Sequence, residues 1–85
     1  MNKIINLTEY NNWLIDRNRA KFTIRTYNLM LKIFYQNKKT INTSSIREFL
    51  KENIFKYQVN SLRNFRQALS SYTKFSKITI DWERI

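Results

Sequence analysis

The sequence contains no cysteine and no histidine, and these two absences remove much of the usual chemistry of enzymes. Without cysteine the chain has no disulfide, no thiolate metal site and no cysteine nucleophile. Without histidine it lacks the commonest metal ligand and the commonest general base. The six acidic residues are scattered, so a metal cluster built from carboxylates alone is not expected. We therefore expect a non-enzymatic chain with no metal, no cofactor and no small-molecule substrate.

Glycine and proline are also absent, which argues against a sheet protein. β-Hairpins favour turns that contain glycine, whereas helices joined by Asn, Thr, Ser and Lys need neither residue. The 85 residues are 42% hydrophobic and 15% aromatic, enough apolar material for one small core. A chain of this length buries about 60% of the surface that its unfolded form exposes. These features predict a single all-α domain over residues 1–77, followed by a tail of different character over 78–85.

Long apolar runs are missing as well. No run approaches the roughly 18 residues that a membrane-spanning helix requires. The segment Met1 to Leu7 is too short and too polar for a signal peptide. We expect a soluble, cytoplasmic protein that has no membrane partner.

Positive charge is what the chain has in excess. Sixteen Lys and Arg residues against six Asp and Glu give a net charge of +10. So large a charge on a small domain favours a polyanionic partner, with nucleic acid the first candidate and an anionic membrane surface the second. A membrane-surface helix needs a continuous exposed apolar face, and the apolar faces of these helices are expected to form the core.

Hydrophobic spacing predicts four or five helices. The first is expected to start at Thr8 as N-cap, and the second at Thr23, fading near Asn37. Asn42 or Ser45 is the expected cap of the third, and Ser45 to Glu48 has the spacing of a capping box. The fourth begins somewhere within 53–58 and runs to about residue 75. The expected buried positions include Tyr10, Trp13, Leu14, Ile24, Tyr27, Leu31, Phe34, Ile46, Phe49, Leu62, Phe65, Ala68, Leu69, Tyr72 and Phe75.

The tail alternates apolar and polar residues from Ile78 to Trp82, a period of two. An extended segment that packs on the bundle is favoured over a strand, because a strand would have no partner. A linker to a further domain is the alternative.

Two helix faces carry cations and no acid. On the fourth helix the face opposite the core holds Arg63, Gln67, Ser70 and Lys74, with Arg66 at its border. On the second helix the corresponding face holds Arg25, Asn28, Lys32 and Gln36, and it is preceded by Arg17, Arg19 and Lys21. Such groups contact phosphates and base edges, and a helix N-terminus at Thr23 flanked by cations suits a phosphate. The simpler interpretation is an ordinary solvated face that happens to be basic.

Leu29 and Ile33 interrupt the polar face of the second helix. They pack against the tail in one interpretation and contact another protein in the other.

Three segments in order resemble the N-terminal core-binding domain of tyrosine recombinases (the phage-integrase family, with a SAM-like fold). They are WLIDRNRAKFTIRTYNLMLKIFYQ, INTSSIREFLKE and VNSLRNFRQALSSYTKFSKI. The shared positions are Trp13-Leu14, Thr23-Ile24 with Tyr27, Ile46 with Phe49-Leu50, and Leu69 through Tyr72 to Phe75. The resemblance covers roughly residues 7–80. The chain departs from it at Ser70 and Ser71, where many members place a basic residue.

The resemblance implies a helical bundle that forms one side of a clamp around double-stranded DNA, with the second and fourth helices facing the DNA. Strand cleavage belongs in that family to a separate catalytic domain of the same parent chain, and the tail 78–85 corresponds to the start of the linker to it. A homo-oligomer assembled on DNA is a further implied partner. The alternative is a protein-interaction helical domain used in recombinase assembly, through Leu29 or Ile33.

Ten residues form the predicted DNA-binding surface. Arg25, Lys32, Arg63 and Lys74 are the expected phosphate contacts, supported by Lys21 and Arg66. The remaining four are Asn28 and Gln67 as candidates for base edges, Thr23 at the predicted cap and Ser70 within the basic face.

Overall fold

The computed structural model describes residues 7–85, and this part of the chain is helical without any strand. It contains the helices α1 (Thr8–Asp16), α2 (Lys21–Asn37), α3 (Thr43–Glu52) and α4 (Val59–Ser76), followed by a 3₁₀ turn at Trp82–Arg84. The predicted all-α class and small helical bundle are confirmed for these residues. The largest contact between helices is that of α2 with α4.

An aromatic stack joins three of the four helices at the centre of the core. Phe49 of α3 lies between Phe34 of α2 and Phe65 of α4, with ring centroids 5.0 and 4.9 Å apart in edge-to-face geometry. All three side chains are at most 1% exposed. Such aromatic pairs contribute about 0.5–1.5 kcal/mol each beyond the area they bury. Tyr57, in the connection before α4, extends the stack onto Phe65 at 5.3 Å.

A second aromatic cluster holds α1 against α4. The Tyr10 ring lies 5.2 Å from Tyr72 and 5.5 Å from Phe75, and Trp13 lies 5.6 Å from Phe75. Tyr10 is fully buried, and its hydroxyl donates a hydrogen bond of 2.7 Å to Ser71 Oγ. A buried phenol needs such a partner, because an unsatisfied hydroxyl in the core costs about 1–3 kcal/mol.

Two helices begin earlier than predicted. At α1 the cap position is Leu7 and Thr8 is already helical, so the predicted Thr8 cap is wrong by one residue. Leu7 is 5% exposed, and its burial brings the first turn of α1 onto the core. At α2 the cap is Ala20, without a side-chain hydrogen bond, and Thr23 is the third helical residue. The predicted cap at Thr23 is therefore wrong as well.

Of the two caps that the sequence pattern indicated for α3, Asn42 and Ser45, the structure shows Asn42. Asn42 Oδ1 accepts from the Ser45 backbone N–H at 2.8 Å, and Ser45 Oγ accepts from the Asn42 N–H at 2.9 Å. This reciprocal pair is a capping box with serine in the place usually taken by Glu or Gln. Asn42 is thus the cap, and the alternative spacing of Ser45 to Glu48 is not the one used.

Two helices end in left-handed residues although the chain has no glycine. Asn18 has φ 60° and Lys77 has φ 58°. The bonds Arg19 N–H to Leu14 O at 3.1 Å and Ile78 N–H to Thr73 O at 2.9 Å close the two ends in the same way. This is the Schellman motif, which satisfies the last carbonyls of a helix. Asn18 turns the chain from α1 directly into α2, which explains why α2 starts before Thr23.

The tail packs on the bundle, but it is not extended throughout. Ile80, Trp82 and Ile85 contact the core, and the Asp81 N–H donates to Thr43 Oγ1 at 3.0 Å at the start of α3. The expectation of a packed tail is confirmed, whereas the period of two did not anticipate the 3₁₀ turn over Trp82–Arg84. The turn lets Trp82 and Ile85, three residues apart, both reach the core.

Replacing Lys77 by glycine should stabilise the domain. A left-handed conformation costs a residue with a Cβ about 1–2 kcal/mol, and glycine avoids this cost. After the entropy that glycine loses on folding, we expect a gain of about 1 kcal/mol, or an increase in Tm of about 4–8 °C in thermal unfolding. Lys77→Ala removes the same charge but keeps the Cβ. If it stabilised the domain as much as Lys77→Gly, charge rather than backbone strain would be the cause.

Tyr10 should make the domain sensitive to alkali. Burial raises the pKa of its hydroxyl to about 12, against the opposing effect of the Ser71 hydrogen bond. The folded state then holds this proton more tightly than the unfolded state, whose pKa is near 10. The stability that the protonated Tyr10 hydroxyl contributes below about pH 10 is therefore lost as the pH rises toward 12.

The Tyr10→Phe variant should lose stability less steeply over that interval, and the latest phenolate to appear in an ultraviolet titration of the folded chain should vanish with it. Identical alkaline titrations of the two proteins would contradict the assignment.

Candidate nucleic-acid interface

The predicted residues of α4 form one stripe on its outer side. Arg63, Gln67, Ser70 and Lys74 are four, three and four residues apart, which returns to the same side of an α-helix at each step. Arg63, Gln67 and Lys74 are exposed, and Ser70 is half-buried. We call these four residues the α4 stripe. The core side of the same helix carries Phe65, Ala68, Leu69 and Thr73, all buried.

The second helix repeats this pattern because of its early start. Lys21 is the first residue of α2 rather than part of the preceding loop. It therefore joins Arg25, Asn28 and Lys32 at the same intervals of four, three and four residues. We call these residues the α2 stripe. Its three cations are exposed.

An open cleft of about 800 Å³ lies at the corner between α1 and α2. Three members of the α2 stripe, Lys21, Arg25 and Asn28, lie on its wall together with Arg19. Its described lining includes no acid; the other members are Asn11, Ile15, Asn18 and Ile24. The sequence pattern identified Arg19 as a cation that precedes the second helix, but not as a predicted DNA contact. The turn at Asn18 places Arg19 beside the α2 stripe, and the sequence carried no signal for this turn beyond the asparagine itself.

Asn28 has a structural role in this cleft. Its Nδ2 donates to Asn11 Oδ1 and to the Ile24 carbonyl, both at 2.6 Å, and the side chain is partly buried. The two hydrogen bonds use both protons of the amide, and the one to Asn11 joins α2 to α1. The amide nitrogen that would read an acceptor on a base edge is thus already engaged in the fold.

Two further predicted residues lie apart from the stripes. Thr23 is half-buried in the first turn of α2 and does not cap it. The guanidinium of Arg66 lies over the ring of Trp82, 5.8 Å from its centroid, on the side of α4 that faces the tail. A cation–π contact of this kind contributes about 0.5–1 kcal/mol at an exposed site. Arg66 is therefore drawn toward the tail, which the sequence pattern did not anticipate.

The ion pairs of the domain leave both stripes uncompensated. Lys38 binds Glu48 and Glu52 at 3.3 and 3.0 Å, which raises its pKa, and Arg84 binds Asp81 at 3.3 Å. Within residues 7–85 these are the only ion pairs. The six predicted cations, Lys21, Arg25, Lys32, Arg63, Arg66 and Lys74, take part in none of them. Three of the six acidic residues are thus paired with cations outside the stripes, and no stripe cation has an ion-pair partner.

Comparison with protein-family models, with curated proteins and with solved structures found no match to this chain. Over residues 7–85, no helix combines the length and the hydrophobicity that crossing a membrane requires.

Removing the Asn28 side chain should destabilise the fold. Asn28→Ala breaks two hydrogen bonds and leaves Asn11 without this partner, so we expect a loss of about 1–2 kcal/mol in thermal or urea unfolding. Gln36→Ala, an exposed amide on the same helix, is the control and should change stability by less than about 0.5 kcal/mol. Equal stability of the two variants would show that the Asn28 bonds contribute nothing to the fold.

Proposed function

We propose that this chain is a DNA-binding domain that holds duplex DNA through the α2 and α4 stripes. The observation that carries the proposal is that two surface stripes present five cations without a single ion-paired acid. A solvated helix face normally mixes both signs of charge, often in pairs one turn apart. Cations held apart from acids favour a ligand that supplies a regular array of negative charge, as a phosphate backbone does.

Duplex DNA fits the stripes better than a single strand does. Each stripe extends over eleven residue steps of its helix, a length of about 16 Å. The major groove of DNA is about 12 Å wide and admits one helix. Proteins that bind single strands offer aromatic rings for stacking. Here Tyr10, Phe34, Phe49 and Phe65 are buried in the core, and the exposed phenylalanines Phe22 and Phe55 belong to neither stripe.

The residues have distinct roles in this proposal. Arg25 and Lys32 of α2 and Arg63 and Lys74 of α4 contact phosphates, which position a protein on DNA without reading its sequence. Lys21 contributes from the start of α2, where Arg19 lies beside it in the cleft.

In this proposal a single side-chain amide contacts the edge of a base. Gln67 is the exposed amide in the middle of the α4 stripe and the candidate for a base edge. Asn28 joins α2 to α1 in this proposal and does not read a base, since both of its amide protons are engaged in the fold.

The parent protein in this proposal is a tyrosine recombinase, which the sequence resembles. The domain binds recombination-site DNA inside the cell, and a separate catalytic domain of the same parent chain cleaves it. A homo-oligomer forms on the DNA. Because phosphate contacts dominate, the isolated domain binds weakly and with little preference for sequence.

A protein-interaction domain is the second candidate, and one observation favours it. Leu29 is 54% exposed and Phe22, two turns earlier on the same side of α2, is 79% exposed. The tail does not cover Leu29, whereas Ile33 packs partly against the core. Self-association that is insensitive to salt and is lost in a Phe22→Ser, Leu29→Ser variant would support this candidate.

Salt dependence of DNA binding tests the principal proposal. Fluorescence anisotropy of a labelled duplex should show log K falling against log salt with a slope near −4.5 if about five phosphates are neutralised. The Arg63→Ala, Lys74→Ala variant should bind more weakly at low salt, with a slope shallower by about 2. The matched control removes one Arg and one Lys from α3, as Arg47→Ala, Lys51→Ala.

Equal losses in the two double variants would mean that net charge alone drives binding, and the stripe would have no special role. Absence of binding at low salt would refute the DNA-binding function of the isolated domain.

A further inference from the structure

A groove of about 360 Å³ lies on another side of the molecule, between α3, α4 and the tail. Its described lining consists of four apolar and three basic residues and includes no acid: Leu50, Ile54, Leu62, Ile85, Arg47, Lys51 and Arg66. The groove thus presents a hydrophobic floor between cations. We call it the α3–α4 groove. None of the α2 or α4 stripe residues belongs to it.

The groove continues onto an exposed apolar turn. Ile54 is 54% exposed and the adjacent Phe55 is 99% exposed. The turn is hydrogen-bonded rather than loose: the N–H groups of Lys56 and Tyr57 both donate to the Asn53 carbonyl at 3.1 Å. Burying a phenylalanine side chain stabilises a protein by about 1.5–3 kcal/mol. Because Phe55 stays exposed in the folded chain, this stabilisation is available to a binding partner.

The charges of α3 are separated between its two flanks. Glu48 and Glu52 point toward Lys38 and pair with it. Arg47 and Lys51, one turn apart, line the groove on the other flank, where Arg66 of α4 faces them. The acids nearest in the sequence are therefore unavailable to the groove, and an occupant has to supply the negative charge itself.

This charge pattern distinguishes between occupants. A symmetric contact with a second copy would bring the three groove cations of each copy together, in a chain whose net charge is +10. Duplex DNA would supply negative charge, but its phosphates leave an apolar floor unfilled. An acidic helix with one apolar side satisfies both parts of the surface, and an amphipathic helix in a groove is a common mode of peptide recognition.

We propose that the α3–α4 groove docks an acidic amphipathic segment of a partner protein. Apolar side chains of the segment cover Leu50, Ile54 and Leu62, with Phe55 packing at the edge. Carboxylates of the segment lie against Arg47, Lys51 and Arg66. This site is separate from the stripes, so the proposal holds whether or not the domain binds DNA.

A designed peptide tests the groove directly. The probe is a short labelled peptide with Leu at helical spacing and Glu elsewhere, titrated with the full chain by anisotropy. Two matched peptides replace Glu by Lys or Leu by Ser. The acidic peptide should bind, and each replacement should weaken binding at least about tenfold, because the groove recognises both features.

Two double variants with equal chemistry locate the binding site. Ile54→Ser with Phe55→Ser should weaken binding of the acidic peptide about tenfold. Phe22→Ser with Leu29→Ser, which removes one exposed Phe and one exposed aliphatic residue from α2, should leave it unchanged. All four side chains are more than half exposed, so both variants should fold. Amide chemical shifts on peptide addition should move at α3, the turn and the tail.

Three results would overturn the proposal. One is equal binding of the acidic and Lys-containing peptides, and another is unchanged binding in the Ile54→Ser, Phe55→Ser variant. The third is a set of shift changes confined to the α2 and α4 stripes, which would show the peptide acting as a polyanion at the proposed DNA surface.

Discussion

The edge-to-face stack of Phe34, Phe49 and Phe65 is the interaction on which the arrangement of the other elements depends. It joins α2, α3 and α4 in a chain that has no disulfide to constrain its unfolded state. A domain of this size buries a modest core, and large flat side chains increase the area that each residue buries. With the rings at the centre, α2 and α4 are packed together, and each presents its opposite side to solvent. The two basic stripes lie on these outward sides because the core occupies the inward ones.

The second constraint is electrostatic. A net charge of +10 opposes compaction, and none of the acids that form ion pairs neutralises a stripe cation. Lys38 links the end of α2 to α3 through Glu48 and Glu52, and Asp81 pairs with Arg84 within the tail. The residual repulsion between stripe cations lowers the stability of the free domain. A polyanion that binds the folded state relieves this repulsion and thereby stabilises the fold.

The tail connects the core to the second surface. Trp82 lies under the guanidinium of Arg66, and Ile85 lies in the α3–α4 groove. Arg66 therefore belongs to the wall of that groove and not to the α4 stripe, although it is only the third residue after Arg63. On an α-helix a step of three residues moves a side chain about 60° around the axis, which here is enough to face a different neighbour. One helix thus serves two surfaces that carry the same sign of charge but differ in apolar content.

Periodicity in the sequence determined the helical class, the buried side of each helix and the exposed basic sides of α2 and α4. Phe65, Leu69 and Phe49 were identified from spacing, because the 3.6-residue period directly reports which side of a helix is apolar. The cap at Asn42 was one of two predicted options, because the capping partner, Ser45, lies only three residues away in the sequence.

Features that depend on contacts distant in sequence were decided by the tertiary structure. The left-handed turn at Asn18 starts α2 at Lys21 and brings Arg19 to the cleft, and the hydrogen bonds of Asn28 depend on where α1 lies. The position of Arg66 depends on a tryptophan sixteen residues later in the chain. Local spacing reports the faces of a helix, whereas the neighbour that each face meets is set by how the helices pack, and a one-dimensional pattern does not contain that packing.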